Sequence, residues 1–241
     1  MLSFFHTILY RPIYNLLLFF VDIVPGGDVG IAVILVTIIV RIIIAPLSIS
    51  AAKTQRRMKF VEPEMAAMRK KYKDDKAKQA EEMMKIYKNN GIKPFSSIFA
   101  ALLQIPIIIA LYTVFHRESL VHANTALVYS FVTLPTTIST VFLGIFTLTG
   151  HNLFLAIIAA ITQFIQAYVT IPVPAKGESP TTSEDFARAL ALQSRFMLPA
   201  LIGVFAYTSG AVALYFITSA VFGIVQEFYV RYSLRHLQMP S

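Results

Sequence analysis

Residues 33–48, "VILVTIIVRIIIAPLS", place one arginine, Arg41, in the middle of an otherwise apolar run. The run from Val29 to Ala52, allowing Thr37, Arg41, Pro46, Ser48 and Ser50, supplies the roughly 20 residues that a bilayer crossing needs. A charge at that depth costs roughly 2.5–3.5 kcal/mol on insertion scales. Something must offset that cost, and the rest of the chain shows what is available.

Of 241 residues, 56% are hydrophobic and only 14% charged, where soluble domains run near a quarter charged. The composition is that of a membrane protein. There is no Cys, which excludes disulfides and thiol chemistry, and the five His are scattered without a pair at helical ligand spacing. No Gly-rich phosphate loop occurs. No metal, cofactor or covalent chemistry is expected. The net charge of +8 is concentrated: residues 51–95 hold 13 of the 21 Lys and Arg, and a short basic segment marks the cytoplasmic side.

From there the chain reads as an all-α polytopic membrane protein with five transmembrane helices, an amphipathic N-terminal interfacial helix and a cytoplasmic helical hairpin. Residues 1–27 carry Arg11, Asn15 and Asp22 on one helical face. A first transmembrane span is one reading; the charged stripe and Pro12 favour an outer-face helix lying in the interface. "PGGD" (25–28) breaks the chain before the first span, 28–52. Residues 53–93 form the basic hairpin, 94–117 the second span, and 118–150 an outer-face helix or re-entrant segment. The last is uncharged from 124 to 149, but counting it as a span would put Lys176, Arg188 and Arg195 outside. The third span is 151–174, a cytoplasmic linker 175–193, and a short fourth span 194–209 that would thin the bilayer locally. "YTSGA" (207–211) offers the turn into the fifth span, 210–232, followed by a cytoplasmic tail, 233–241. The expected location is the bacterial plasma membrane, amino end outside and carboxyl end in the cytoplasm.

In the hairpin, Met58, Val61, Met65, Met68 and Tyr72 step by three and four, as do Ala77, Ala80, Met84 and Tyr87. Such stripes pair two helices. Asp74 and Asp75 mark the turn, and the outer faces stay basic through Arg56, Arg57, Lys59, Arg69, Lys70, Lys71 and Lys73. That surface suits a client, anionic lipid headgroups or a ribosome, or is simply solvated. No aromatics interleave the basic residues, so no specific nucleic-acid recognition is expected.

Around Arg41 the polar positions recur by face. Thr37 and Ser48 lie within ~40° of Arg41 at 100° per residue. Gln104 on the second span, Gln163 and Gln166 on the third, and Tyr215, Ser219 and Gln226 on the fifth add stripes of their own. No span offers an acidic residue at the depth of Arg41. A proton relay would want one; neutral groups and water in a hydrated cavity are what this set can provide. Taken singly, a glutamine here does no more than tie helices together.

The order of these features resembles the YidC/Oxa-type membrane protein insertases over nearly the whole chain. The resemblance rests on "RIIIAPLS", on the basic hairpin with "EPEM" and "RKKYKDDK", and on "LLQIPIIIALYTVF" before two closely spaced final spans. It implies five core spans around a hydrophilic groove, with Arg41 as the groove arginine that attracts acidic residues of a client. Newly made membrane proteins are then the implied partners, with the ribosome and a Sec-type translocon as further candidates. Departures are the missing lipoprotein Cys and large outer domain of some members, a short tail and the absence of Trp. The rival reading is a small-solute or anion transporter using Arg41 as counter-charge, which should show internal repeats.

Overall fold

The computed structural model describes residues 6–93, 102, 106–110, 112–114, 124–171, 173 and 182–235. The chain is mostly helical: α1 (Arg11–Ile23), α2 (Val29–Phe60), α3 (Glu62–Lys71), α4 (Lys76–Asn89), α5 (Leu153–Thr170), α6 (Thr182–Tyr207) and α7 (Gly210–Arg235). Among the described residues four stretches are long and apolar enough to cross a membrane: Val29–Phe60, Leu153–Thr170, Arg188–Tyr207 and Gly210–Leu234. Most of the expected second span lies outside the described residues; 106–110 and 112–114 are helical. The chain divides into two compact units, residues 1–42 with 106–225, and residues 43–105 with 226–241.

In the first unit, α1 buries Ile13, Tyr14, Leu17, Leu18 and Val21. Its polar stripe, Arg11, Asn15 and Asp22, is hydrogen-bonded within the protein. Arg11 Nε donates to the Leu127 carbonyl at 2.9 Å, and its guanidinium lies 4.7 Å from the Tyr129 ring centre. Asn15 donates to the same carbonyl and accepts from the Tyr129 amide at 2.7 Å, and Asp22 accepts from the Thr133 hydroxyl. The partly buried Leu127 carbonyl and Tyr129 amide of segment 124–133 thereby find partners.

Where the sequence leaves an outer-face helix or a re-entrant segment open for 118–150, the described residues from 124 onward form short elements. A 3-10 turn at Thr125–Leu127 is followed by a two-stranded antiparallel ribbon, β1 (Val141–Phe142) and β2 (Phe146–Thr147). Leu143 and Gly144, both at positive φ, make its turn. Asp28 ties this ribbon to the first span. One carboxylate oxygen accepts from the Gly30 and Ile31 amides at the start of α2, and the other accepts from the Leu143 amide at 2.8 Å. An anion capping a helix start is stabilised by the unsatisfied amides and the helix dipole. Gly27 next door has φ +65°, and a Cβ there would meet the Thr137 carbonyl oxygen at 2.0 Å, so the "PGGD" break needs its second glycine.

Helices α5 and α6 run antiparallel, with His151 stacked on Tyr207 at one end and Phe164 against Phe196 further along. Arg195 closes the other end of α5 by donating to the Ile171 carbonyl at 3.0 Å, a cation satisfying a helix C-terminus. Helix α6 starts at Thr182, inside the stretch expected to be linker, and its apolar window runs 20 residues from Arg188. This window is longer than the short span, 194–209, expected from the sequence. The chain breaks at Thr208–Ser209 and resumes as α7 at Gly210, where "YTSGA" predicts the turn.

In the second unit, α2 continues without interruption to Phe60, past the expected end of the span at residue 52. Helices α3 and α4 share a small core of Val61, Met65, Met68, Ile86 and Ile92, with Tyr72, Met83 and Tyr87 packed against it. The first stripe matches the sequence reading except at Met58, which is exposed. The second is displaced: Ala77, Ala80 and Met84 face solvent. Met83, Ile86 and Tyr87 offer more apolar area on the neighbouring face, and burial follows area. Asp75 caps α4 by accepting from the Lys78 amide at 2.9 Å.

Candidate functional site

At 1.5 Å per residue, Arg41 lies about 18 Å along α2 from Val29, near the midpoint of a ~30 Å hydrocarbon layer if that helix spans it. Arg41 is partly buried, and among the described residues no carboxylate pairs with it. Tyr215 on α7, only 3% exposed, stands within electrostatic range of its guanidinium. Ser219, one turn further along α7, is fully buried, and its hydroxyl has no partner among the described residues.

The other expected groove positions in this unit are already committed. Thr37, fully buried, donates back to the Val33 carbonyl at 2.6 Å, satisfying itself within its own helix. Gln163 Nε2 donates to the Phe216 carbonyl at 3.2 Å, a tie between α5 and α7. The Gln166 amide lies against Gly223 so closely that a Cβ on that glycine would come within 2.1 Å of it. The two glutamines therefore join helices here. The unspent polar capacity lies with Arg41 and Ser219.

In the second unit, Ser48 donates to Gln226 Oε1 at 2.7 Å, joining two more expected groove positions as another helix tie. Next along α7, Glu227 is buried and bound by two arginines. Arg56 bonds it through both Nε, at 2.9 Å, and Nη2, and Arg231 Nε reaches the same oxygen at 3.3 Å. Arg57 donates to the Gly91 carbonyl at 2.7 Å. Arg56 and Arg57, expected on the outer contact surface, thus have intramolecular acceptors. Lys59, Arg69, Lys70, Lys71 and Lys73 are exposed, Lys71 lying over the Tyr72 ring and Lys73 near Asp74. Gln104 lies outside the described residues.

Glu227 and Arg231 stand four residues apart, a spacing that pairs side chains on a helix surface, whereas nothing in the spacing announces Arg56, 171 positions away. An excess of basic residues at the end of a span, with a lone acid at the end of another, is the signal that could have suggested it.

The geometry leaves a cation and a hydroxyl at span depth, without redox, nucleophilic or metal chemistry among them; no cluster of metal-binding side chains occurs among the described residues. The arrangement can attract an anion or solvate a polar segment, and can do little else.

The family described as 60Kd inner membrane protein matches residues 19–236. Among curated relatives, a protein of Bacillus anthracis named membrane protein insertase YidC 1 is 32% identical over 237 residues, covering 94% of this chain and 80% of its own length. Proteins named membrane protein insertase YidC from Clostridium perfringens and Clostridium tetani are 42% and 31% identical. Those matches cover 37% and 66% of this chain, and 38% and 65% of the relatives' lengths.

Proposed function

The chain belongs to the YidC/Oxa-type family, that of the 60Kd inner membrane proteins, and we propose that it works as a membrane protein insertase that accepts hydrophobic client segments in a hydrophilic intramembrane groove and releases them sideways into lipid. It is not an enzyme: the problem it solves is the desolvation of a polar segment crossing hydrocarbon, which costs several kcal/mol per unsatisfied group.

The observation that carries this reading is Arg41, a guanidinium at span depth with no carboxylate partner among the described residues. An intramembrane charge without a structural partner is there for function by default. In a low-dielectric setting it attracts an acidic segment of a client far more strongly than it would in water. Tyr215, within electrostatic range of that guanidinium, adds a second polar group there. Once the client's polar end has crossed, burial of its apolar helix in lipid draws it out of the groove.

The arrangement in the membrane follows from charge. Five spans, with 94–117 as the second, put the amino end outside and the carboxyl end in the cytoplasm. Helices α3 and α4 then form a cytoplasmic element that receives clients. Their basic faces contact anionic lipids of the inner leaflet, and the ribosome or a Sec-type translocon where these deliver the client. The bacterial plasma membrane is the location that fits both the composition and the relatives.

The test uses purified protein in sealed liposomes of phosphatidylglycerol and phosphatidylcholine. A single-span client with an acidic amino-terminal tail is presented, and protease protection of the tail is scored. Protection above that of protein-free liposomes supports an autonomous insertase. Protection equal to the lipid-only control, together with an anion flux through the same vesicles, would replace it with the transporter reading.

A further inference from the structure

One face of α2, from the last turns of its apolar span onward, is built differently from the rest of the helix. Pro46, Ile49 and Ser50, Lys53 and Thr54, then Arg57 recur at three and four residues, the spacing of a single helical face. With Gly91 and Lys93 they line a cavity of about 290 Å³, which lies entirely within the second unit. Three of the lining residues are cationic and none is acidic.

Arg57 is held against one wall by its Nη1 bond to the Gly91 carbonyl at 2.7 Å, and among the described residues nothing accepts from its Nε or Nη2. A Cβ at Gly91 would come within 2.4 Å of that guanidinium, so the close approach requires glycine there. Lys53 has no carboxylate partner among the described residues. Lys53 and Arg57 therefore bring to the cavity positive charge that no carboxylate among the described residues neutralises, in contrast to Arg56 on the adjacent face, which is bound to Glu227. Pro46 and Ile49 give it an apolar end toward the span, and two hydroxyls, of Ser50 and Thr54, lie between.

We infer that this cavity is a binding site for a phosphate ester, the headgroup phosphate of an anionic glycerolipid. The volume stands at the small end of ligand sites, the size of a headgroup rather than a peptide segment. A planar guanidinium and lysine ammonium groups are the side chains that hold phosphate oxygens. The apolar end adjoins the start of the acyl chains, and basic pockets beside transmembrane helices are where anionic headgroups are retained. The inference deepens the lipid contact proposed above and rests on that reading in placing this end of α2 at an anionic leaflet.

The experiment titrates phosphatidylglycerol into the full-length protein in neutral maltoside micelles, with retained lipid counted by native mass spectrometry. Phosphatidylcholine serves as the neutral comparison, and inorganic phosphate and glycerol phosphate as soluble competitors. Saturable phosphatidylglycerol binding is expected, weakened about fivefold by Lys53→Gln and about 25-fold when Arg57→Gln is added, at about fivefold per cation. Lys70→Gln, on the exposed face of α3, removes the same charge and should leave it unchanged. Competition by millimolar glycerol phosphate would keep the site and assign it to a soluble phosphate ester. Equal retention of phosphatidylcholine, or an equal loss in Lys70→Gln, overturns the proposal. Lys53→Gln carries the test if Arg57→Gln unfolds, because Lys53 supports no other contact among the described residues. A micelle has no sides and no client is present, so failure here leaves the insertase reading standing, and failure of insertion leaves this site standing.

Discussion

Arg41 and Arg56 sit on the same helix and are treated in opposite ways. Arg56 lies about 40 Å along α2 from Val29, past a ~30 Å hydrocarbon layer, where a charge is cheap. Yet it is the one supplied with a carboxylate, Glu227, which Arg231 also binds. Arg41, at the depth where charge is expensive, has none among the described residues. The difference separates structure from function. A cation whose bonds are filled holds helices in register and can respond to nothing else; a cation left to neutral neighbours keeps its attraction for whatever enters.

Breaking the paired side should cost stability most. Glu227→Gln keeps an acceptor oxygen but removes the negative charge shared by two arginines, each about a third exposed, so solvent screens part of the loss. A decrease of about 1–3 kcal/mol is expected in thermal unfolding of the detergent-solubilised protein. A wild-type melting temperature would mean that the pair contributes nothing and that the contrast with Arg41 is empty.

Asp28 is a second filled group. Its replacement by Ala leaves the Gly30 and Leu143 amides without their acceptor. A loss of about 1–2 kcal/mol follows, with faster amide exchange at Leu143 as the local signature. Unchanged exchange there would show that the ribbon is held by something other than this carboxylate.

Ser219 belongs with Arg41 on the unfilled side. Because its buried hydroxyl has no partner among the described residues, Ser219→Ala should leave stability within about 0.5 kcal/mol of wild type or raise it slightly. A substantial loss of stability would reveal a structural partner and remove Ser219 from the groove.

The smallest effect is expected on α4, where Glu81 and Glu82 pair with Lys85 in full solvent. The hydrogen bond and charge of Lys85 hold the Glu81 carboxyl below its usual range and raise the Lys85 ammonium. A depressed carboxyl stabilises above its unfolded value, near ~4.3, and that contribution is lost as pH falls through the lower folded value. A nitroxide at Lys88 should loosen on acidification below about pH 4. In Glu81→Gln it should start looser and change less, and identical profiles would exclude the pair as the cause.

Much of this was legible in the sequence because it is periodic. The spans at Val29, Leu153 and Gly210, the break at "PGGD" and the Met65–Met68 stripe all follow from hydropathy and spacing. What was missed is either long-range or locally ambiguous. Arg56 meets Glu227 across 171 positions, a pairing that no window can contain. The partners of the polar stripe of α1, Leu127, Tyr129 and Thr133, lie over a hundred residues away, out of reach of any local pattern. Helix α6 extends back into "TTSEDFAR", which is polar enough to pass for linker. Yet a Thr and Ser followed by two acids is a helix-start signal in its own right. The ribbon at Val141–Thr147 hides in a segment whose hydropathy suits span and strand equally. At the site, the depth of Arg41 follows from its position in the apolar run, whereas the sequence leaves a glutamine open as groove lining or helix tie, and Gln163 donates to the Phe216 carbonyl.

The central claim is that Arg41 lacks a carboxylate so that a client can supply one. Insertion of two clients, identical but for an acidic or a basic translocated tail, into proteoliposomes bearing wild type, Arg41→Lys, Arg41→Ala or Arg41→Glu measures this directly. The account predicts that protection of the acidic tail is retained by Arg41→Lys and falls about tenfold in Arg41→Ala, equivalent to ~1.4 kcal/mol. In Arg41→Glu the preference should invert toward the basic tail. Equal protection of both tails by all four proteins would contradict it.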